Sequence, residues 1–491
     1  MNRKIADFGA LMNRKIADFG CEWRKNNYDE SMKNQVDIEF ERKIFPSLLA
    51  WAKTPDKETA ILIEGARRVG KTTIVKKLAK EAYEDFVYID FKIASEELKA
   101  LFAPQRMRDL DDFFQEFFLL VGKTPKPGSL IIFDEVQYCR KAREDIKYLV
   151  ADGRFDYIET GSLVSILSNE EGIQIPSEEN ILYMHPLDFE EFLWAVGEKD
   201  ILRGVYELAE KKKTIPDSVH QKLMSLFRRY MVVGGMPKVL SVLLRTNSYL
   251  EAEKIKKSIL ALYQEDLRKY DHKYGTFCEA IFLDIPAQLA AERESYRFIP
   301  GLKEANARSV KIIKSIRALQ DFMLADVVYR SPDLSAFLET RKDESYYKLY
   351  YVDTGLLLSA LLSLSEQEVA LSYAKLLQNA PGINMGGIME SLVCQSLACR
   401  GIRKYYHVFS LSDEQTGKTK RYEIDFAFQY KLAKILIEVK ASHSYKTESL
   451  DKFPRKYPNI KTHRYVVGVK NLKREEAKTT IPVYLLPLWE F

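Results

Sequence analysis

Apolar residues along the chain fall into two kinds of run. Short stretches bounded by polar or glycine-containing segments predict strands at 60 to 63 (AILI), 87 to 91 (VYIDF), 129 to 135 (SLIIFDE), 156 to 162 (DYIETGS) and 180 to 187 (NILYMHPL). Between them the spacing lengthens to the helical period, as over 73 to 82. Strands that alternate with helices predict a parallel sheet covered on both faces. Residues 188 to 270 are helical in pattern, broken by the turn GGMPK at 234 to 238. Beyond Pro286, residues 306 to 330 read as a helix feeding a strand and 346 to 353 as a second strand, an order that fits a winged helix. The last block predicts a helix at 387 to 400, strands at 404 to 410, 421 to 430 and 433 to 440, a helix near 447 to 456 and a strand at 462 to 469.

One strand pair in that block carries charge where an apolar hairpin would not. In RYEIDFAFQYKLAKILIEVKAS (421 to 442), strict alternation puts Ile424, Phe426 and Phe428 on one face and Glu423, Asp425 and Ala427 on the other. With the turn between Lys431 and Leu432, Phe428 faces Ile435, Phe426 faces Ile437 and Ile424 faces Val439. Asp425 then falls opposite Glu438, and Glu423 opposite Lys440. Like charges so opposed require a compensating cation or proton, and magnesium suits carboxylates at that distance. Neighbouring lysines that satisfy the acids as a buried ion network are the alternative.

The first strand runs into Gly65-x-x-x-x-Gly70-Lys71-Thr72 and then a helix, the context of a phosphate-binding loop. Glycines let the backbone wrap phosphate oxygens, and the N–H groups of the helix start, Thr73 included, face the anion. Lys71 would reach the β and γ phosphates of ATP, and the Thr72 hydroxyl would ligate magnesium. SLIIFDE delivers Asp134 and Glu135 from a strand end: Asp134 to hold the ion through water, Glu135 to polarise the attacking water. Thr160 and Ser162 end the next strand and are placed to sense the γ-phosphate; a helix cap is the simpler role there. Arg67, Arg68, Arg154 and Arg228 are all candidates for an arginine finger, so a homo-oligomer is left open.

Composition narrows the partners. With 46% hydrophobic and 30% charged residues and a mean hydropathy of -0.26, the chain reads as globular. Its 491 residues make room for about three domains. Five cysteines without a CxxC pair and six histidines argue against a disulfide framework or structural zinc and for a reducing compartment. No run approaches a membrane span, and the N-terminus lacks a secretion signal, so the cytoplasm is expected. The nonapeptide MNRKIADFG stands at 1 to 9 and again at 12 to 20, which points to a cloning scar or an extra upstream start. Residues 400 to 480 hold 19 Lys or Arg against 9 Asp or Glu, although the whole chain is only +5. That excess favours nucleic acid, DNA above all. Arg308, Lys311, Lys314 and Arg317, spaced by three, are a second candidate contact with DNA, or the solvated side of an amphipathic helix.

GARRVGKTT, IIFDEVQ, ETGS, HPLDFEEFL, YMVVGGMPKVL, YYVDTGLL and EIDFAF with EVKAS together resemble a large prokaryotic group of AAA-superfamily P-loop ATPases with a C-terminal domain of unknown function. The resemblance runs from about residue 36 to the end. It implies an α/β chain: a P-loop ATPase of the additional-strand class at 36 to 200, a helical lid at 201 to 275, a winged-helix-like domain at 276 to 375 and a restriction-endonuclease-like αβββαβ domain at 376 to 491, with residues 1 to 35 set aside. Asp425, Glu438 and Lys440 are similar to the Asp…Glu-x-Lys signature of such nucleases, whose first helix often adds a glutamate to the metal site, here Glu390. The expected function is an ATPase that controls magnesium-dependent phosphodiester cleavage. A switch or scaffold that binds without cutting, and an ATPase acting on a polypeptide, are the competing expectations.

Overall fold

The computed structural model describes residues 38–55, 57–103, 106–162, 178–271, 277–291, 310–334, 338, 342–362, 365–379, 385–412, 418–431 and 433–491. The duplicated nonapeptide, Arg308 and Leu432 lie outside them. The chain divides into two compact units. One is Glu41–His185 with Asp321–Met323, so it closes short of the expected boundary at 200; the other takes in Pro186–Gln320 and Leu324–Phe491.

The first unit is built on five parallel strands, β1 (Ala60–Glu64), β2 (Phe86–Asp90), β3 (Leu130–Asp134), β4 (Asp156–Gly161) and β5 (Glu179–Tyr183), in the order β2-β3-β4-β1-β5. Every residue of β1 and β3 is buried, as unbroken apolar runs require of central parallel strands. Phenylalanines 91, 102, 113, 117 and 133 fill one face of this sheet with mostly edge-to-face contacts. The order sets β1 beside β4 and β4 beside β3, so the strand ends that carry Glu64, Thr160 and Asp134 are neighbours. That adjacency builds the site.

In the second unit the GGMPK turn separates the helices Asp217–Val233 and Pro237–Thr246. Its anchor is Asp353, whose buried carboxylate accepts the N–H groups of Gly235 at 2.5 Å and of Leu356 at 2.9 Å while it caps the helix Thr354–Leu361. The remaining strands are β6 (Ala325–Arg330), β7 (Asp343–Tyr351), β8 (Tyr405–Ser412), β9 (Thr419–Tyr430), β10 (Ala433–Lys440), β11 (Thr462–Gly468), β12 (Lys473–Arg474) and β13 (Thr479–Pro482). They form one mixed sheet in the order β12-β13-β11-β10-β9-β8-β6-β7. The helix Gly386–Cys399, strands β8 to β10, the helix Glu448–Lys456 and β11 reproduce the expected αβββαβ order. The wing is different. The helix Val310–Asp321 does feed β6, which pairs antiparallel with β7, but β6 also pairs in parallel with β8, so this hairpin continues the C-terminal sheet instead of closing a separate winged-helix domain. On that helix Lys311, Lys314 and Arg317 are exposed, and Arg317 is bridged to Glu344 at 2.6 Å.

Gly235 leaves no space for a side chain: a Cβ there would stand 2.1 Å from the Leu187 carbonyl oxygen. Gly235→Ala should therefore lower the stability of the second unit by about 1–3 kcal/mol, read as an earlier urea transition.

Candidate functional site

Gly70, at φ 104°, turns the chain from the loop into the helix Lys71–Ala82, whose first N–H groups have no partner within the helix and face the loop. Lys71 is buried, and its Nζ donates to the carbonyls of Gly65 at 2.8 Å and Ala66 at 3.1 Å. Burial, against the nearby Glu135 and Asp134 charges, lowers its ammonium to about 8. Thr72 Oγ1 donates to Asp134 at 2.9 Å. Asp134 also accepts from the Tyr88 hydroxyl at 2.5 Å and from Thr160, while the Glu135 N–H donates to Thr160 Oγ1 at 3.4 Å. The loop, the carboxylate of β3 and the hydroxyl of β4 thus converge. This donor set suits a triphosphate with its magnesium: a helix N-terminus and an ammonium for the anion, a carboxylate and two threonine hydroxyls for a hard cation.

Under the loop lies a second layer of charge. Arg143 forms a two-point pair with Glu179, both bonds 2.9 Å, and the buried Glu159 and Glu64 belong to the same field. Burial, opposed by Arg143, pushes Glu64 up to about 7. Burial and then the Glu179 charge hold Glu159 well above the usual carboxylate range.

The C-terminal acids do not meet as alternation predicts. β9 and β10 pair in the expected register, Phe428 with Ile435 and Phe426 with Ile437, but the ladder stops there. On the other side of β9, Tyr405 pairs with Ala427 and His407 with Ile424, two steps on β8 against three on β9. One extra residue, a β-bulge, sits between Ile424 and Ala427 and reverses which face each side chain takes. Ile424 therefore joins Ala427, Leu436, Leu450 and Phe453 in one core. Glu423 and Asp425 turn to the opposite face, toward the helix that carries Glu390.

Lys348 waits on that face. It is 7% exposed, with Nζ 2.5 Å from Glu423 and 3.5 Å from Glu390, and Glu390 also accepts from the Tyr350 hydroxyl at 2.7 Å. Burial works against its charge, but Glu390, Glu423 and Asp425 outweigh it and hold the ammonium above its ordinary value. Asp425 accepts the Val439 N–H at 2.7 Å, replacing the ladder bond the bulge removes, and burial with the Glu390 charge raises its carboxyl. Glu438 pairs instead with Lys440 at 2.7 Å, near Leu450 and Asp451; burial raises its carboxyl against Lys440. The residues expected as a metal set thus have separate partners: Lys348 pairs with Glu390, Lys440 with Glu438, and Asp425 accepts the Val439 N–H. Among the described residues no cluster of three or more His, Cys, Asp or Glu side chains could hold a metal ion.

The sequence reading missed Lys348, Tyr88 and Gln137. A lone lysine inside the tyrosine run YYKLYY was the available signal for the first. Tyr88 follows from the register of β2 against β3, which no local pattern carries.

Residues 57–193 match the family model described as an AAA domain, the stretch that holds the phosphate loop and the strand end of Asp134. Residues 224–368 and 385–490 match two families described as domains of unknown function, DUF8612 and DUF4143. An uncharacterized protein of Haemophilus influenzae is 27% identical over 190 residues, which are 38% of this chain and 41% of that protein, so the match spans less than half of that relative. Among solved structures, Drosophila ORC bound to DNA is similar at 17% identity and TM-score 0.27, over 62% of this chain and 89% of that one. CDC6P from Pyrobaculum aerophilum follows at 12% and 0.24, over 72% and 98%. C. elegans PCH-2 stands at 15% and 0.20, over 45% and 63%. TM-scores this low do not carry a fold assignment. No described helix is long and apolar enough to cross a membrane.

Lys348→Met should leave three carboxylates without their cation and destabilise the second unit by about 3–5 kcal/mol in urea unfolding, a loss that Glu423→Gln in the same chain partly restores. Glu64 titrates at about 7 when folded against 4.5 ordinarily, so the folded state holds an extra proton between those values and raising the pH favours unfolding. The first unit should lose up to about 3 kcal/mol across that window, and Glu64→Gln should flatten the profile of urea midpoint against pH.

Proposed function

We propose that the chain hydrolyses ATP at the P-loop and uses its nucleotide state to govern a C-terminal domain that binds nucleic acid, DNA by preference, without cutting it. The convergence of Lys71, Thr72, Asp134, Glu135 and Thr160 at one end of the first sheet carries this reading. Gly65 to Thr73 would hold the phosphates, with Lys71 exchanging two backbone carbonyls for β and γ oxygens. Magnesium, held through Thr72 and Asp134, would neutralise phosphate charge. Glu135 would accept the proton of the attacking water, and Thr160 would exchange its bond to Asp134 for one to the γ-phosphate.

For the C-terminal domain, the charge excess and the αβββαβ order support a polyanionic partner. Lys431, Lys446, Arg455, Lys456 and Lys461 are exposed. Cleavage is not part of this reading, because Asp425 and Glu438 turn to different partners and Lys348 pairs with Glu390 and Glu423.

Lys71→Ala should lower ATP turnover by about two orders of magnitude, a size typical of losing one transition-state donor. Binding to labelled duplex DNA, followed by fluorescence anisotropy, should weaken by at least about tenfold between 50 and 200 mM salt. Plasmid should stay intact with magnesium or manganese. Cleavage that disappears in Asp425→Ala would restore the nuclease reading, and an affinity for DNA that ignores salt would point to a polypeptide partner.

A further inference from the structure

The end of β3 carries a backbone feature that the phosphate loop does not explain. Glu135 leaves the strand at φ 55°, ψ 46°, a left-handed conformation that costs a side-chain-bearing residue free energy and persists where its surroundings enforce it. Its carboxylate is met two residues on. Gln137, 5% exposed within the single turn Val136–Tyr138, donates from Nε2 to the Glu135 carboxylate and, at 3.5 Å, toward Ser162 Oγ just past the end of β4. Its Oε1 is buried without a hydrogen-bond partner. The amide cannot turn over to relieve this, since its oxygen would then face the carboxylate. An unpaired buried carbonyl and a left-handed glutamate are two unfavourable features with one product: a Glu135 carboxylate fixed in place and tied to the strand of Thr160.

We propose that Gln137 is a positioning residue for ATP hydrolysis, setting where the Glu135 carboxylate stands and linking it to the β4 end that would meet the γ-phosphate. This inference rests on the ATPase reading above. Gln137→Glu keeps the shape and replaces the donor by an acceptor, and Gln137→Met keeps the length and removes hydrogen bonding. Both should lower kcat at least about tenfold while KM and the affinity for a fluorescent ATP analogue stay within about twofold, the signature of a loss felt after binding. Unchanged kcat in the folded variants, or kcat and affinity falling together, would overturn it. Should Gln137→Met fail to fold, the isosteric Gln137→Glu decides. A parent protein whose turnover is no greater than that of Lys71→Ala would sink the ATPase reading itself, and this inference with it.

Discussion

Side chains of a β-strand alternate between two faces, and a single inserted residue in β9 reverses that alternation for everything on its N-terminal side. The chemistry of the C-terminal domain depends on this reversal. Without the bulge, Asp425 and Glu438 would look at each other across an antiparallel pair and Ile424 would leave the core it shares with Phe453. With it, Ile424 packs, Glu423 and Asp425 meet Lys348, and Glu438 keeps Lys440 to itself. A change of one residue in register turns to opposite faces two acids that alternation alone would have set opposite each other.

Two charge centres among the described residues solve a common problem by different means. At the end of the first sheet, Asp134 is surrounded by hydroxyls from Thr72, Tyr88 and Thr160, groups that can rotate away and give up their bonds to an arriving ion or phosphate. In the C-terminal domain the acids are met by a buried ammonium, Lys348 of β7, whose positive charge does not depend on rotating a hydroxyl. Exchangeable neutral donors suit a site that binds and releases. A resident cation suits a structure that holds its shape.

Much of this architecture was legible in the chain. All five strands of the first unit appear within a few residues of their expected places, because buried parallel strands are short apolar runs, and the phosphate loop is recognisable from its glycines and lysine alone. The hairpin register over Phe426 and Phe428 was equally readable from matched apolar faces. Asp425 was not, since a bulge is set by the pairing of β9 with β8 and leaves no mark on the alternation of β9 itself. Glu390 on the apolar side of its helix announced that it needed a partner, but not that the partner would be a lysine about 40 positions upstream. The hairpin of β6 and β7 read as a wing because its local pattern is that of a wing; only its pairing with β8 assigns it to the larger sheet.

The strand order of the first unit bears on how the chain folds. β1, which leads into the phosphate loop, lies between β4 and β5, so both of its hydrogen-bonding edges are completed by segments that come roughly a hundred residues later. During synthesis at about 5–20 residues per second, the loop waits several seconds for its supports. Until β5 has been made, this fully buried strand has an unpaired edge, the kind of surface that chaperones cover and that aggregation exploits. The phosphate loop is early in the sequence and late in the fold.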